Sequence, residues 1–476
     1  MPLFSLDLSL ASIDPSAWRV AVPLAIAGAS TYFLFAHYYA ESHIPGSYGF
    51  PVVGETLDFI WNPRQFVEKR LKRYGPTFKT SIFGNKVLFL TTDEGCRQAF
   101  RVEPKSGGVH SFETIKQFLQ IGPTGKTHTE FRKNFAQFLN KGYLASVSPM
   151  FVRIIREEID EWHRVSAAGR YIRAEDVVKN IPLSIILNMS IKDVSPEKKA
   201  EIFDLLADVS AGIRSVVASS LLSPTFAKGI RSHRRLCKII EAEIHTIMPD
   251  LDALKDSNFM AQLISFALQH NLVSGSVSQA RYVMGFWFAA FDTTSTTLFQ
   301  LLYNLSLNPD VLAKIREEAL AAGFSYQSDL TTSDLSNLKY TNAVIKETFR
   351  LRALGVMHMF RELHEPTELG GYQVPKGFLL TAAIHGNSVT SQESLEDGHR
   401  FKPERFLDGS VQATGTDLIW GAPPRVCGGM DIAMLELRAT LVLLALKGTI
   451  KPKGALGEIY DFPVTHIKGG FDFQIV

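Results

Sequence analysis

Cysteine is nearly absent: three occur in 476 residues, Cys96, Cys237 and Cys427. They are too few and too scattered for a disulfide framework and suit a reducing compartment. Charge of one sign is lacking too. With 50 Lys and Arg against 48 Asp and Glu, the balance of +2 excludes a nucleic-acid electrostatic footprint and leaves only local basic patches to matter. Internal repeats and low-complexity tracts are missing, which excludes repeat architectures. What is plentiful is apolar. A hydrophobic content of 46% with 33 Phe can bury a large core, and although the length alone suggests about three domains, the motifs below run through one continuous pattern and read as one large domain.

From Val20 to Ala40 no Asp, Glu, Lys or Arg interrupts the chain, a stretch just long enough for a hydrocarbon core that needs roughly 20 residues. We expect residues 1–40 to carry a transmembrane anchor. A cleaved signal peptide is the alternative, but Asp7 and Asp14 precede Arg19 and weaken its basic n-region. Pro45, Gly46, Gly49 and Pro51 mark residues 41–55 as a stiff Pro/Gly hinge, and residues 56–476 follow as the large domain. Asn188 and Asn304 each begin a glycosylation pattern.

Hairpin signals flank Gly84-Asn85, and a second β element surrounds Pro375-Lys376-Gly377. Between them the periodicity is helical, longest from Ser276 to Leu307. The fold class is therefore mainly α with small β-sheets.

Two stretches carry chemistry. In WGAPPRVCGGMDIAMLE, Trp420 to Glu436, turn residues surround Cys427 at the start of an apolar helix. A lone cysteine reads first as a small hydrophobe. At a helix start beside Arg425, however, the thiolate is favoured, and a thiolate can ligate haem iron. In FWFAAFDTTSTTLFQLL, Ala289 and Thr293 lie four apart on one helix face, with Asp292 beside them. A small residue leaves room for a ligand, the Thr293 hydroxyl can donate to dioxygen and Asp292 can relay protons. The ordinary alternative is Thr bonded to the carbonyl four residues back and Asp paired with a surface lysine.

The Cys427 loop resembles that of the haem-thiolate cytochrome P-450 monooxygenases, F-x-x-G-x-R-x-C-x-G-x-x-x-A-x-x-E, matching at Arg425, Cys427, Gly429, Ala433 and Glu436. It departs at Trp420 and at Pro423, where Phe and Gly are usual. Ala289 to Thr294 is similar to the family's oxygen-groove motif A-G-x-D-T-T, with Ala290 for Gly. PGSYGFPVVGETL looks like the branch of plant steroid and terpenoid oxidases. The resemblance implies the cytochrome P-450 fold and haem b on Cys427, with Arg425, Arg132, His128 and Arg361 as haem partners. It implies a structural triad of Glu347 and Arg350, in KETFR, with Arg405, in FKPERF; taken alone, the first two read as an exposed ion pair worth under ~1 kcal/mol. Substrate contacts are expected from Phe112, Ile115, Phe286, Ala290, Val356, Met357 and Phe471. Electrons would come from NADPH through a reductase, with cytochrome b5 as a further partner, docking on a basic face that includes Lys126, Lys133 and Lys141. The catalytic domain would face the cytosol on an endoplasmic-reticulum anchor. The expected reaction is oxidation of an apolar terpenoid or sterol; the alternatives are a haem-thiolate isomerase or dehydratase acting on a lipid peroxide, and a non-catalytic haem-binding protein.

Overall fold

In the computed structural model, residues 22–32 and 41–476 are described, apart from 52, 103–106, 111–112, 120–124, 216–218, 353, 356, 359, 394, 409–415, 455–458, 461–465 and 468–469. Helices α1 (Thr56–Trp61) and α2 (Pro63–Tyr74) precede strands β1 (Thr77–Ile82) and β2 (Asn85–Leu90), α3 (Asp93–Arg101) and β3 (Gly107–His110). A helical run follows: α4 (Gly125–Phe138), α5 (Lys141–Ala167), α6 (Asn180–Ser190), α7 (Pro196–Ile213), α8 (Pro224–Ile247), α9 (Phe259–Gln269), α10 (Ser276–Leu307), α11 (Pro309–Ala321) and α12 (Lys339–Leu351). Strands β4 (Phe360–Leu363) and β5 (Leu379–Ala382), then α13 (Ile384–Glu393) and α14 (Met430–Lys447), complete the framework.

Local chemistry starts these helices where they are needed. Ser195 and Ser223 accept the amides of Lys198 and Phe226, and each precedes a proline at the first helical position. Helix α10 is apolar nearly all round and is accordingly buried along most of its length, with α6, α8 and α14 against it. Gly212 of α7 and Gly229 of α8 let that pair close: a Cβ on Gly212 would stand 3.0 Å from the Gly229 Cα and 2.7 Å from the Phe118 ring.

The main sheet runs β1-β2-β5-β4-β3, with β2 and β5 parallel and the other pairs antiparallel. Phe83 and Gly84 both take positive φ, 50° and 74°, the two-residue turn whose twist matches the β1–β2 hairpin. The second β element divides between two sheets. Tyr372–Val374 pairs with Thr367–Leu369, whereas Leu379–Ala382 crosses into the main sheet beside β2.

Residues 22–32 are helical and exposed, and the rest of Val20–Ala40 lies outside the described residues. Among the described residues no helix is long and apolar enough to cross a membrane. The Pro/Gly segment is packed rather than free: Ile44 and Tyr48 are buried, and at Gly46 (φ +131) a Cβ would strike the Lys79 backbone at 2.1 Å. Asn188 is exposed but lies inside α6 with Ser190 buried, whereas Asn304 and Ser306 of the second glycosylation pattern are both buried in α10.

Candidate functional site

The cysteine loop is set by its own backbone. Gly421 turns it at φ +79, where a Cβ would meet the Arg425 carbonyl at 2.6 Å, and the Cys427 amide donates to the Trp420 carbonyl at 2.6 Å. The Trp420 ring meets Phe349 of α12 edge-on at 5.4 Å. At Gly428 a side chain would strike Arg132 and Phe135, so glycine lets α4 close on the loop. The Cys427 side chain is solvent-accessible yet deep among protein atoms, and it therefore lines a recess rather than the outer surface. Burial raises its pKa and outweighs the Gly429 amide bonded to sulfur and the charge of Arg132, and ligation to a metal is what would hold the sulfur as a thiolate.

The middle of α10 breaks its own burial pattern. Ala289 and Thr293 are exposed while Phe291, Asp292 and Thr294 to Leu302 are buried. A bare turn within a buried helix needs interior space beside it. Thr293 donates to the Ala289 carbonyl at 2.6 Å, the ordinary bond for this spacing, while its side chain still borders that space. Asp292 is buried and bonded, but not by a surface lysine. Ser210 of α7 donates to its Oδ1 at 2.6 Å and Arg214 approaches the same oxygen at 3.3 Å. Neither partner was apparent in the sequence, where they are ordinary residues some eighty positions away. An accessible sulfur in a recess and a helix bared at a small residue fit a haem between α14 and α10, which touch.

Glu347 is the centre of a buried cluster. Arg350 approaches both its oxygens, at 2.7 and 2.8 Å, while Arg405 Nε (3.1 Å) and the Lys402 amide (2.9 Å) donate to Oε1. The two guanidinium groups also donate to the carbonyl of Arg400, and Ser388 donates to that of Arg350. These bonds join α12 to the segment Pro403–Phe406. The pair is therefore not the exposed one that spacing alone gives.

His128 is buried in α4, with Arg132 half-buried one turn on. Arg361 is buried on β4, its guanidinium carbon 4.8 Å from the Phe100 ring centre. His358, not singled out in the sequence, meets the same ring edge-on at 4.8 Å and its Nε2 lies 2.7 Å from the Leu418 carbonyl. Burial pushes its pKa down to about 4. Arg425 is half-buried in the loop, and Lys126, Lys133 and Lys141 are exposed.

Of the substrate residues, Phe112, Val356 and the side chain of Ile115 lie outside the described residues. Phe286 and Ala290 are half-buried on α10, Phe286 among Phe131, Phe135 and Tyr282. Met357 packs against the cluster of Phe59 and Phe66. Phe471 requires correction: it is buried against Phe299 (5.5 Å) and Tyr303 (6.3 Å), a core side chain beside the later turns of α10.

The family model described as Cytochrome P450 matches residues 44–454. Cytochrome P450 26B1 of Danio rerio is 28% identical over 422 residues, covering 84% of this chain and 80% of its own. Taxane 13-alpha-hydroxylase of Taxus cuspidata is 26% identical over 453 residues, covering 90% of each. Among solved structures, retinoic acid-bound cyanobacterial CYP120A1 superposes with a TM-score of 0.77 at 20% identity, over 91% of this chain and 99% of that one, a likeness of fold.

Proposed function

The chain belongs to the cytochrome P450 family, and on that premise we propose that this monooxygenase inserts one oxygen atom into a C–H bond of an apolar isoprenoid, a terpenoid or sterol. The second oxygen atom leaves as water, using two electrons from NADPH passed through a reductase and two protons. The accessible Cys427 sulfur together with the bared Ala289–Thr293 turn carries this reading. Haem, when bound, supplies the oxygen-activating chemistry.

The remaining roles belong to the chain. Cys427 ligates the iron, and the Gly429 amide and Arg132 steady the anionic sulfur. Arg132, His128, Arg361 and Arg425 are the candidate partners of the haem propionates, which need cations or donors when buried. Thr293 holds a donor at the edge of the recess, and Asp292 moves protons to it from the side of Ser210 and Arg214. Glu347, Arg350 and Arg405 brace the segment leading to the cysteine loop. A rigid, mainly apolar substrate is favoured, because burial supplies affinity at roughly 25 cal/mol per Å² and a rigid molecule loses less entropy on binding. The taxane hydroxylase among the relatives accords with that class. The apolar N-terminus supports an endoplasmic-reticulum anchor with the catalytic domain in the cytosol, and the exposed lysines of α4 and α5 a reductase or cytochrome b5 docking face.

The test combines spectrum and product. The ferrous carbon-monoxide complex should show the red-shifted Soret band of a thiolate-ligated haem, lost in Cys427→Ser, and a terpenoid should be hydroxylated with consumption of NADPH and dioxygen. Turnover of a lipid peroxide without either would instead establish the isomerase reading.

A further inference from the structure

We propose that the cleft between α4, the start of α5 and α9 is a second ligand site, separate from the cysteine recess, and that it takes a neutral polyhydroxylated ring such as a mono- or disaccharide. The cleft encloses about 590 Å³, a size typical of small-molecule sites. An anomaly in α9 marks it. In FMAQLISFALQ every residue from Phe259 to Ile264 is buried, and Gln262, 5% exposed, is the polar side chain among them. Gln262 lines the cleft, and its Nε2 donates to the Asn134 side-chain oxygen of α4. Its Oε1 and the hydroxyl of Tyr143, which also lines the cleft, are closed off from solvent with no hydrogen-bond partner among the described residues. Buried polar atoms are ordinarily paired, so two unpaired ones in the wall of one cleft point to a molecule that enters it.

Local chemistry places these groups. Asn140 caps α5 by accepting from the amides of Gly142 and Tyr143, which turns the chain out of α4 and brings the Tyr143 ring to 4.3 Å from that of Phe138. Burial pushes the Tyr143 pKa up to about 12, so the group stays a hydroxyl. Phe138 and Phe266, both buried, form an apolar floor. Behind it Phe131 stands between Phe266 (5.2 Å) and Phe286 of α10 (5.8 Å), so a layer of rings divides the cleft from α10.

The lining also selects the class of ligand. Lys255 and Asp256 are the charged residues among the described ones that line the cleft; their charges cancel, and Lys255 is already paired with Asp252. An ion would therefore enter without a counter-charge. The bond between Gln262 and Asn134 uses one NH2 and one oxygen of the two carboxamides. It leaves one oxygen and one NH2 for a ligand, whichever way the two amides are turned. With the Tyr143 hydroxyl, the wall offers donors and acceptors together. A sugar hydroxyl is itself both donor and acceptor, and neighbouring hydroxyls on a ring match such a set. The same chemistry is carried by a free sugar and by a glycoside of an apolar molecule.

The test is saturation-transfer NMR on the full-length holoenzyme in phosphatidylcholine discs, with methyl glucoside, maltose and hexyl glucoside as probes and glutamate as a charged control. Saturation should reach the sugars and not glutamate. Tyr143→Phe removes a hydroxyl that holds nothing in the protein, so it should weaken sugar binding about fivefold while thermal stability stays equal or rises. Gln262→Leu should abolish the transfer. Hexyl glucoside bound more tightly than methyl glucoside, by an amount that Tyr143→Phe reduces, would assign the site to a glycoside of an apolar molecule; equal binding would assign it to a free sugar. Absence of transfer to every sugar, transfer undiminished in Tyr143→Phe, or stronger binding of glutamate would refute the proposal.

Discussion

Replacing Glu347 by alanine should be among the most destabilising single changes in this enzyme. Its carboxylate accepts four hydrogen bonds, three from the guanidinium groups of Arg350 and Arg405 and one from the Lys402 amide, and the side chains involved are 0%, 1% and 4% exposed. Removal leaves two buried cations facing each other without a counter-charge. Breaking a buried pair in this way costs about 3–5 kcal/mol, against a total stability for a typical domain of about 5–15 kcal/mol. The change corresponds to roughly two to four decades in the ratio of folded to unfolded protein. A control of similar length is at hand: Arg101–Glu94, 2.9 Å long, has side chains 60% and 61% exposed, and Glu94→Ala should cost under about 1 kcal/mol. Equilibrium urea unfolding followed by circular dichroism, with haem absorbance recorded in parallel, measures both. Equal midpoint shifts in the two variants would refute the argument from burial.

Cys427→Ser should remove the red-shifted Soret band of the carbon-monoxide complex while the protein remains folded by circular dichroism. Thr293→Ala should uncouple turnover, with NADPH consumption continuing and hydrogen peroxide rising as hydroxylated product falls; full coupling would place the proton donor elsewhere. Acid should also destabilise the fold through His358. Its pKa is about 4 in the folded protein against about 6.5 unfolded, so below pH 6.5 the unfolded state binds the additional proton, and stability falls with falling pH by about 3 kcal/mol in all before levelling near pH 4. His358→Gln should flatten that part of the pH–stability curve measured by urea unfolding, and an unchanged slope would assign the loss to other groups.

What the sequence made legible was periodicity and local turn chemistry. Ser276–Leu307 is one helix because apolar residues recur at helical spacing through 32 residues with no proline to stop them, and Gly84 marks the hairpin because its turn needs positive φ there, although the second turn residue is Phe83 and not Asn85. Long-range pairing was less visible. Ser210 and Arg214 carry no local signal that they meet Asp292, since nothing in their own segment depends on it. The state of Cys427 depended on a balance of sign: the local pattern names the groups that favour the thiolate, whereas the opposing burial comes from α4 and the rest of the body. Phe471 was misread for a related reason. A phenylalanine in a core and one in a substrate pocket have the same composition around them, and only the rings of Phe299 and Tyr303 distinguish the two.

The contact between Gly212 and Gly229 sets the mechanics of the upper helices. Where two backbones meet with no side chain between them, sliding or prising apart exposes peptide groups without uncovering any compensating polar surface, and Phe118 wedges the contact from one side. Helices α7 and α8 should therefore move as one slab, bending at the short segment 191–195 that precedes them. Since α7 also carries Ser210 and Arg214, tilting that slab to admit a bulky molecule would lift both partners off Asp292 in the same stroke, making the admission of cargo and the freeing of an acid a single mechanical event.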